Sequence, residues 1–283
     1  MYVNDLLKIG AATLKVRKIN TYQIDTELML ANLMNTSREN LLINTNKNVE
    51  IEKVKHFMGM LERRAKNSEP VAYILNKKEF WNSSLFVNDN VLIPRPETEL
   101  LVEKLSQFYK DKNPYILDVG TGSGCIIISL LEELRSSKGV AIDVSFKALN
   151  IAKENAKKNG TFKRIRFEKK SIVSHFDKKF DIIVSNPPYI PRHQMKNLMR
   201  DIKFFEPKLA LDGGNDGLDV IKKVIYKSKR ILKIKGMLAL EIGNGQYKKV
   251  SQILRFCKFR EKFLIKDYQK NIRCILSTLD ENN

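Results

Sequence analysis

The tetrapeptide Asn186-Pro187-Pro188-Tyr189 follows a short apolar run, Asp181-Ile182-Ile183-Val184-Ser185, that reads as a strand. Its residue types suit one task, which is to hold a planar NH2 group while its nitrogen reacts. An amide nitrogen is a poor nucleophile because its lone pair is delocalised into the carbonyl. A catalyst therefore has to grip both N–H bonds and turn the lone pair toward an electrophile. Asn186 offers its side-chain oxygen as one acceptor, and the Pro187 carbonyl offers the other. Pro188 restricts the direction of that carbonyl, since a proline locks its own φ and drives the preceding residue toward extended geometry. Tyr189 presents an aromatic face to a flat substrate. Acceptor bonds that strengthen as positive charge builds on nitrogen favour the transition state over the ground state. The competing reading is an ordinary turn, because Asn and Pro are favoured turn residues.

Upstream, Ile116-Leu117-Asp118-Val119 runs into Gly120-Thr121-Gly122-Ser123-Gly124 and then into an apolar helical stretch, Cys125 to Leu134. Glycines let a backbone turn tightly and approach a ligand at the carboxyl end of a strand, where open α/β sheets bind nucleotides. The dinucleotide fingerprint needs glycine at position 125, which is Cys125 here, and no Gly-Lys-Ser/Thr closes a phosphate loop. The Gly-x-Gly-x-Gly form resembles motif I of class I methyltransferases, which implies S-adenosylmethionine as cofactor, held by Gly120, Thr121, Gly122, Ser123 and Gly124. Asp143 ends the next strand, 23 residues beyond Gly120, near the ~20 at which such sites place a ribose-binding acid. It can accept both ribose hydroxyl protons, and it also stands where a helix N-cap would, ahead of a helix predicted over Phe146 to Lys158.

These residues need rigid elements to hold them. From Met1 to about residue 75 the apolar spacing is helical, with Ile51, Val54, Phe57, Met58 and Leu61 on one face, and Asp25 and Ser37 stand as N-caps. Residues 76–92 read as a β-hairpin linker, with strands over Lys78 to Trp81 and Leu85 to Leu92. A further domain spans residues 93–283, and from about Tyr115 onward short apolar runs alternate with amphipathic helices, the pattern of βαβ units around a mostly parallel sheet. The predicted strands are Tyr115 to Val119, Gly139 to Asp143, Ile165 to Glu168, Asp181 to Ser185, Met237 to Ile242 and Ile272 to Thr278. Leu149, Ala152 and Ala156 form the buried stripe of one helix.

Composition narrows the chemistry further. Cys125, Cys257 and Cys274 form no Cys-x-x-Cys pair, and His56, His175 and His193 no His-x-x-x-His pair, so no metal is expected. No run reaches the ~18 apolar residues of a membrane span. Met1 to Gly10 carries no signal pattern, so a soluble, cytoplasmic protein is expected. With 51 Lys and Arg against 32 Asp and Glu the formal charge is +19, which would attract a polyanion. The lysines are scattered, as an AT-rich genome would also produce, and direct nucleic-acid binding stays open.

Taken together, these segments resemble the HemK-type release-factor glutamine N5-methyltransferases over nearly the whole chain. The resemblance rests on Asp25 to Leu30, Pro70 to Leu75, Glu79-Phe80-Trp81 and Ile93-Pro94-Arg95-Pro96-Glu97-Thr98-Glu99. It continues through the tetrapeptide, Phe205-Glu206-Pro207, Ala210 to Gly214, Asp216 to Asp219 and Glu241-Ile242-Gly243. It implies a Rossmann-like class I methyltransferase domain behind a helical domain that docks peptide-chain release factors, and methylation of the glutamine in their Gly-Gly-Gln loop. Asn186 and Pro187 would be catalytic, Asn186 to Tyr189 would bind substrate, and Asn186 would also touch the cofactor. The family's acidic and aromatic adenine contacts are replaced by Lys170-Ser171-Ile172, where Ser171 can hydrogen-bond and Ile172 can cover a ring face. The same tetrapeptide serves exocyclic amines of DNA and RNA bases, so a nucleic-acid N-methyltransferase is the alternative. The Pro94 to Glu99 segment favours the release-factor reading.

Overall fold

The computed structural model describes residues Met1–Leu279, which divide into two compact units: residues 1–77 with 199–205, and residues 78–198 with the described residues from 206 onward. Among the described residues, no helix is long and apolar enough to cross a membrane.

The first unit is helical. It comprises α1 (Val3–Val16), α2 (Tyr22–Leu33), α3 (Arg38–Ile43), α4 (Ile51–Asn67) and α5 (Val71–Ile74), joined by the short α9 (Arg200–Phe205). Leu6, Leu14, Met29, Leu30, Phe57 and Leu61 form its core. Ser37 caps α3 as expected, accepting from the Asn40 N–H. Asp25 is not a cap. It lies inside α2, buried, where Arg64 donates to its Oδ2 over 2.7 Å and the Thr21 hydroxyl over 2.9 Å. A charged pair withdrawn from water has to be hydrogen-bonded on both sides, and that requirement places Asp25 opposite α4.

The second unit opens with the hairpin β1 (Lys78–Phe80) and β2 (Ser83–Leu85). The strand expected to run on to Leu92 stops at Leu85, because Asn88 bonds forward to the Asn90 and Val91 N–H groups and turns the chain. Then follow α6 (Pro96–Phe108), β3 (Tyr115–Val119), α7 (Cys125–Glu133), β4 (Lys138–Asp143), α8 (Phe146–Lys158), β5 (Ile165–Lys169) and β6 (Phe180–Ser185). α10 (Asp219–Ile231), β7 (Leu232–Glu241), α11 (Tyr247–Phe256), β8 (Phe259–Lys266) and β9 (Ile272–Leu279) complete it.

The seven strands lie in the order β5-β4-β3-β6-β7-β9-β8; the first five run parallel, and β9 is antiparallel to both its neighbours. One face packs on α6 and α7 through Leu101, Leu105, Ile127 and Leu130, and the other on α10 and α11 through Ile221, Val224, Val250 and Leu254. Burial on both faces is why β3 and β6 read as unbroken apolar runs.

Candidate active site

Strand order reverses between β3 and β6, the crevice where doubly wound sheets bind ligands. Val119 pairs in register with Ser185, and the Ser185 hydroxyl donates to the Val119 carbonyl over 2.7 Å. The glycine loop and the tetrapeptide therefore leave the sheet side by side and at the same level.

The loop is tied to β4. The N–H groups of Gly120 and Thr121 both donate to the Ile142 carbonyl at 2.9 and 3.0 Å. Gly122 holds φ at 56°, a left-handed conformation natural to glycine, and its N–H donates to Oδ2 of Asp143 over 3.0 Å. Oδ1 of Asp143 accepts from the Ser145 N–H at 2.9 Å, while Ser145 itself caps α8. Burial raises the Asp143 pKa, and the bonds from Ser145 and Gly122 pull against it. The hydroxyl of Thr121 donates to the fully buried Asp118 over 2.6 Å. Burial pushes Asp118 up to about 7, against the Thr121 bond and with added repulsion from Asp143.

The tetrapeptide is clamped from two sides. Ile190 donates to the Leu211 carbonyl, and Gly213 donates back to that of Ile190. A Cβ on Gly213 would come within 2.8 Å of the Pro188 oxygen, so only glycine admits this approach. Gln246 donates to the carbonyls of Tyr189 (2.9 Å) and Gly217 (3.2 Å) while accepting from the Gly243 N–H. The motif residues from Ala210 to Asp219 and the Gly243 turn thus act as a cradle for Asn186 to Tyr189.

From α6, Thr98 reaches the same place. Asn186 Nδ2 donates to its hydroxyl oxygen over 3.1 Å, and that hydroxyl donates to Oε2 of Glu241 over 2.6 Å. The Tyr189 hydroxyl lies 3.4 Å from the other Glu241 oxygen, with the Arg273 guanidinium over the Tyr189 ring and 3.9 Å from the carboxylate. Burial raises the Glu241 pKa, opposed by the Thr98 bond and by Arg273. Arg95, from the same stretch as Thr98, pairs with Glu206.

A cavity of about 340 Å³ lies across this crevice. Gly120, Gly122, Asp143, Ser171, Ile172, Asn186 and Pro188 line it. Thr121, Ser123, Gly124, Pro187 and Tyr189 are not part of its wall. Thr121 braces Asp118, Gly124 caps α7, Pro187 is buried, and the Tyr189 hydroxyl faces Glu241. The wall also includes Lys170 beside Ser171 and Ile172, and Asn90 and Leu92 from the turn after the hairpin, Leu209 and Lys223, the last four not singled out for the site by sequence reasoning.

Asn155 was missed as well. It lies on α8 among the apolar stripe, buried; its Nδ2 donates to the carbonyls of Phe86 and Ser123, and its Oδ1 accepts from the Phe86 N–H. One side chain thereby ties the post-hairpin segment to the glycine loop. An Asn on an otherwise apolar helix face was the available signal.

The Asp143 carboxylate on this wall could accept hydroxyls of a ligand, apolar Ile172 and Leu92 could cover a planar ring, and Asn186 borders the open space. Burial raises all three thiol pKa values, Cys125 to about 12, so none is a thiolate nucleophile. Among the described residues no group of three or more His, Cys, Asp or Glu side chains has an arrangement suited to a metal ion.

Comparison with known proteins matches residues 95–206 to the Methyltransferase small domain and residues 5–75 to the PrmC N-terminal domain. The release factor glutamine methyltransferase of Fusobacterium nucleatum is 35% identical over 276 residues, covering 96% of this chain and 78% of the relative. That of Clostridium botulinum is 36% identical over 279 residues, covering 97% and 98%. Among solved structures, a methyltransferase from Pyrococcus furiosus superposes with a TM-score of 0.53 at 17% identity, over 71% of this chain and 91% of that one. That likeness speaks to the class I fold of the sheet and its helices.

Proposed function

Since this chain belongs to the release factor glutamine methyltransferase family, we propose that it methylates the side-chain amide nitrogen of the glutamine in the Gly-Gly-Gln loop of peptide-chain release factors, with S-adenosylmethionine as donor. The observation that carries this reading is that Asn186 and Asp143 border one cavity at the β3/β6 crevice.

When bound there, the cofactor supplies an electrophilic methyl group on a sulfonium. Asp143 accepts the ribose hydroxyls, its carboxylate held in place by Gly122 and Ser145. Ser171 and Ile172 receive the adenine. The Asn186 side-chain oxygen and the Pro187 carbonyl accept the two N–H bonds of the glutamine, and Pro188 and Tyr189 border its plane. These acceptors gain strength as the nitrogen turns positive, which lowers the barrier more than it tightens substrate binding. Residues 1–77 act as the docking domain for the release factor, in the cytoplasm where that partner works.

The test is to offer labelled S-adenosylmethionine and the purified protein a release factor, total RNA and DNA in parallel. Label entering the release factor alone supports the reading. Label entering nucleic acid instead would replace it with base-amine methylation.

A further inference from the structure

The orientation of the Asn186 side chain is decided by a proton count. A hydroxyl has one proton to give, and the Thr98 proton goes to Glu241 over 2.6 Å, a carboxylate buried from solvent. What Thr98 turns toward Asn186 is therefore a lone pair, and only the NH2 end of the carboxamide can meet it, at 3.1 Å. The reversed amide would set two acceptors against each other in a buried place, and would also aim an NH2 at the substrate's own NH2. Glu241 is itself held, with Oε1 facing the Tyr189 hydroxyl at 3.4 Å and Arg273 at 3.9 Å, so Oε2 stays directed at Thr98. Thr98 is 1% exposed and Glu241 0%, which keeps water from supplying a substitute proton.

We infer that Thr98 is a positioning residue for methyl transfer: with its proton committed to Glu241, it turns the Asn186 carboxamide so that Oδ1 faces the nitrogen to be methylated. This rests on the reading of Asn186 as the acceptor of the glutamine NH2. It gives the threonine of the Pro94 to Glu99 segment a chemical task that neither its own position on α6 nor the tetrapeptide reveals. The same alignment would be lost with valine, which has the shape of threonine but no hydroxyl, and kept with serine.

The test compares the native protein with Thr98→Val, Thr98→Ser and Asn186→Ala in single-turnover methylation of a release factor. Thermal melting and calorimetric titration with S-adenosylhomocysteine are read alongside. Thr98→Val should melt lower, because it leaves Glu241 without its Thr98 donor, and should still bind the cofactor product like the native protein, yet transfer methyl on the order of 10²-fold more slowly, the scale of a misaligned reacting group. Thr98→Ser should recover most of that rate. If Thr98→Val does not fold, Thr98→Ala removes the same hydroxyl and is compared with Thr98→Ser in its place. A hydroxyl-free variant as fast as native while Asn186→Ala is inactive overturns the inference alone, as does a Thr98→Ser no faster than Thr98→Val. An Asn186→Ala as fast as native overturns the reading of the site, and this inference with it.

Discussion

The N–H of Gly122 and Oδ2 of Asp143 are joined over 3.0 Å, so the glycine loop after β3 and the acid at the end of β4 form one unit. Asp143 is thereby a brace for the loop as well as the proposed ligand for ribose. Asp143→Ala removes both. Asp143→Asn keeps one acceptor but turns an NH2 toward backbone N–H donors.

Calorimetric titration with S-adenosylhomocysteine should show affinity falling on the order of 10²-fold or more for Asp143→Ala, since two charge-assisted bonds worth about 1.5–3 kcal/mol each are lost. Asp143→Asn should recover little of it. Native affinity in a folded Asp143→Ala would remove this residue from the site.

Asn155 predicts a stability effect distinct from any cofactor contact. Asn155→Ala leaves the Phe86 N–H and the Phe86 and Ser123 carbonyls without their present partner. At about 1–3 kcal/mol for a buried polar group left unpaired, denaturant titration should register a clear loss. Asn155→Asp should not rescue it, because a carboxylate cannot donate to the two carbonyls. An unchanged unfolding midpoint in Asn155→Ala would contradict this bracing role.

Asp118 predicts the sign of a pH dependence. Its folded pKa is raised to about 7 by burial, above the ordinary carboxylate value, so the folded state holds a proton that the unfolded chain releases. Its contribution to stability is full at low pH and is lost as pH rises through about 7. Asp118→Asn, which can still accept from Thr121, should remove that part of the decline. Melting temperatures of native and variant should diverge as pH is raised from acid toward neutrality, with the variant relatively more stable at the upper end. Parallel curves would show that Asp118 does not titrate there.

Much of this architecture is legible in the chain because buried parallel strands are short apolar runs bounded by glycine or acid. β3 was read with both its ends, as was α8, whose cap Ser145 and apolar stripe mark it locally. β8 was missed for the converse reason. It is a sheet edge whose Arg260, Lys262 and Lys266 alternate outward, so the charges leave only the three-residue apolar run Phe263 to Ile265. Within the site, the loop, Asp143 and the tetrapeptide are contiguous signals. Thr98 is not one, since it meets Asn186 across 88 residues of chain and Glu241 across 143, and no local spacing encodes either bond. Asp25 misled because an acid ahead of a helical run looks like a cap until Arg64 is brought against it.

A chain lacking residues 1–77 tests the docking role. Every residue lining the cavity lies between 90 and 223. The shortened protein, if folded, should therefore bind S-adenosylhomocysteine like the full chain and methylate an intact release factor more slowly. An undiminished rate would leave the helical unit without a part in substrate recognition.

The most direct measurement is peptide mass spectrometry of a purified release factor after incubation with S-adenosylmethionine and the native, Asn186→Asp or Asn186→Ala protein. The native enzyme should place a single methyl on the side-chain nitrogen of the Gly-Gly-Gln glutamine. Asn186→Asp, which keeps an acceptor, should retain part of the rate. Asn186→Ala should fall on the order of 10²- to 10³-fold, the cost of losing one transition-state hydrogen bond. No methyl on that glutamine with the native enzyme, or full transfer by a folded Asn186→Ala, would contradict amide methylation at this site.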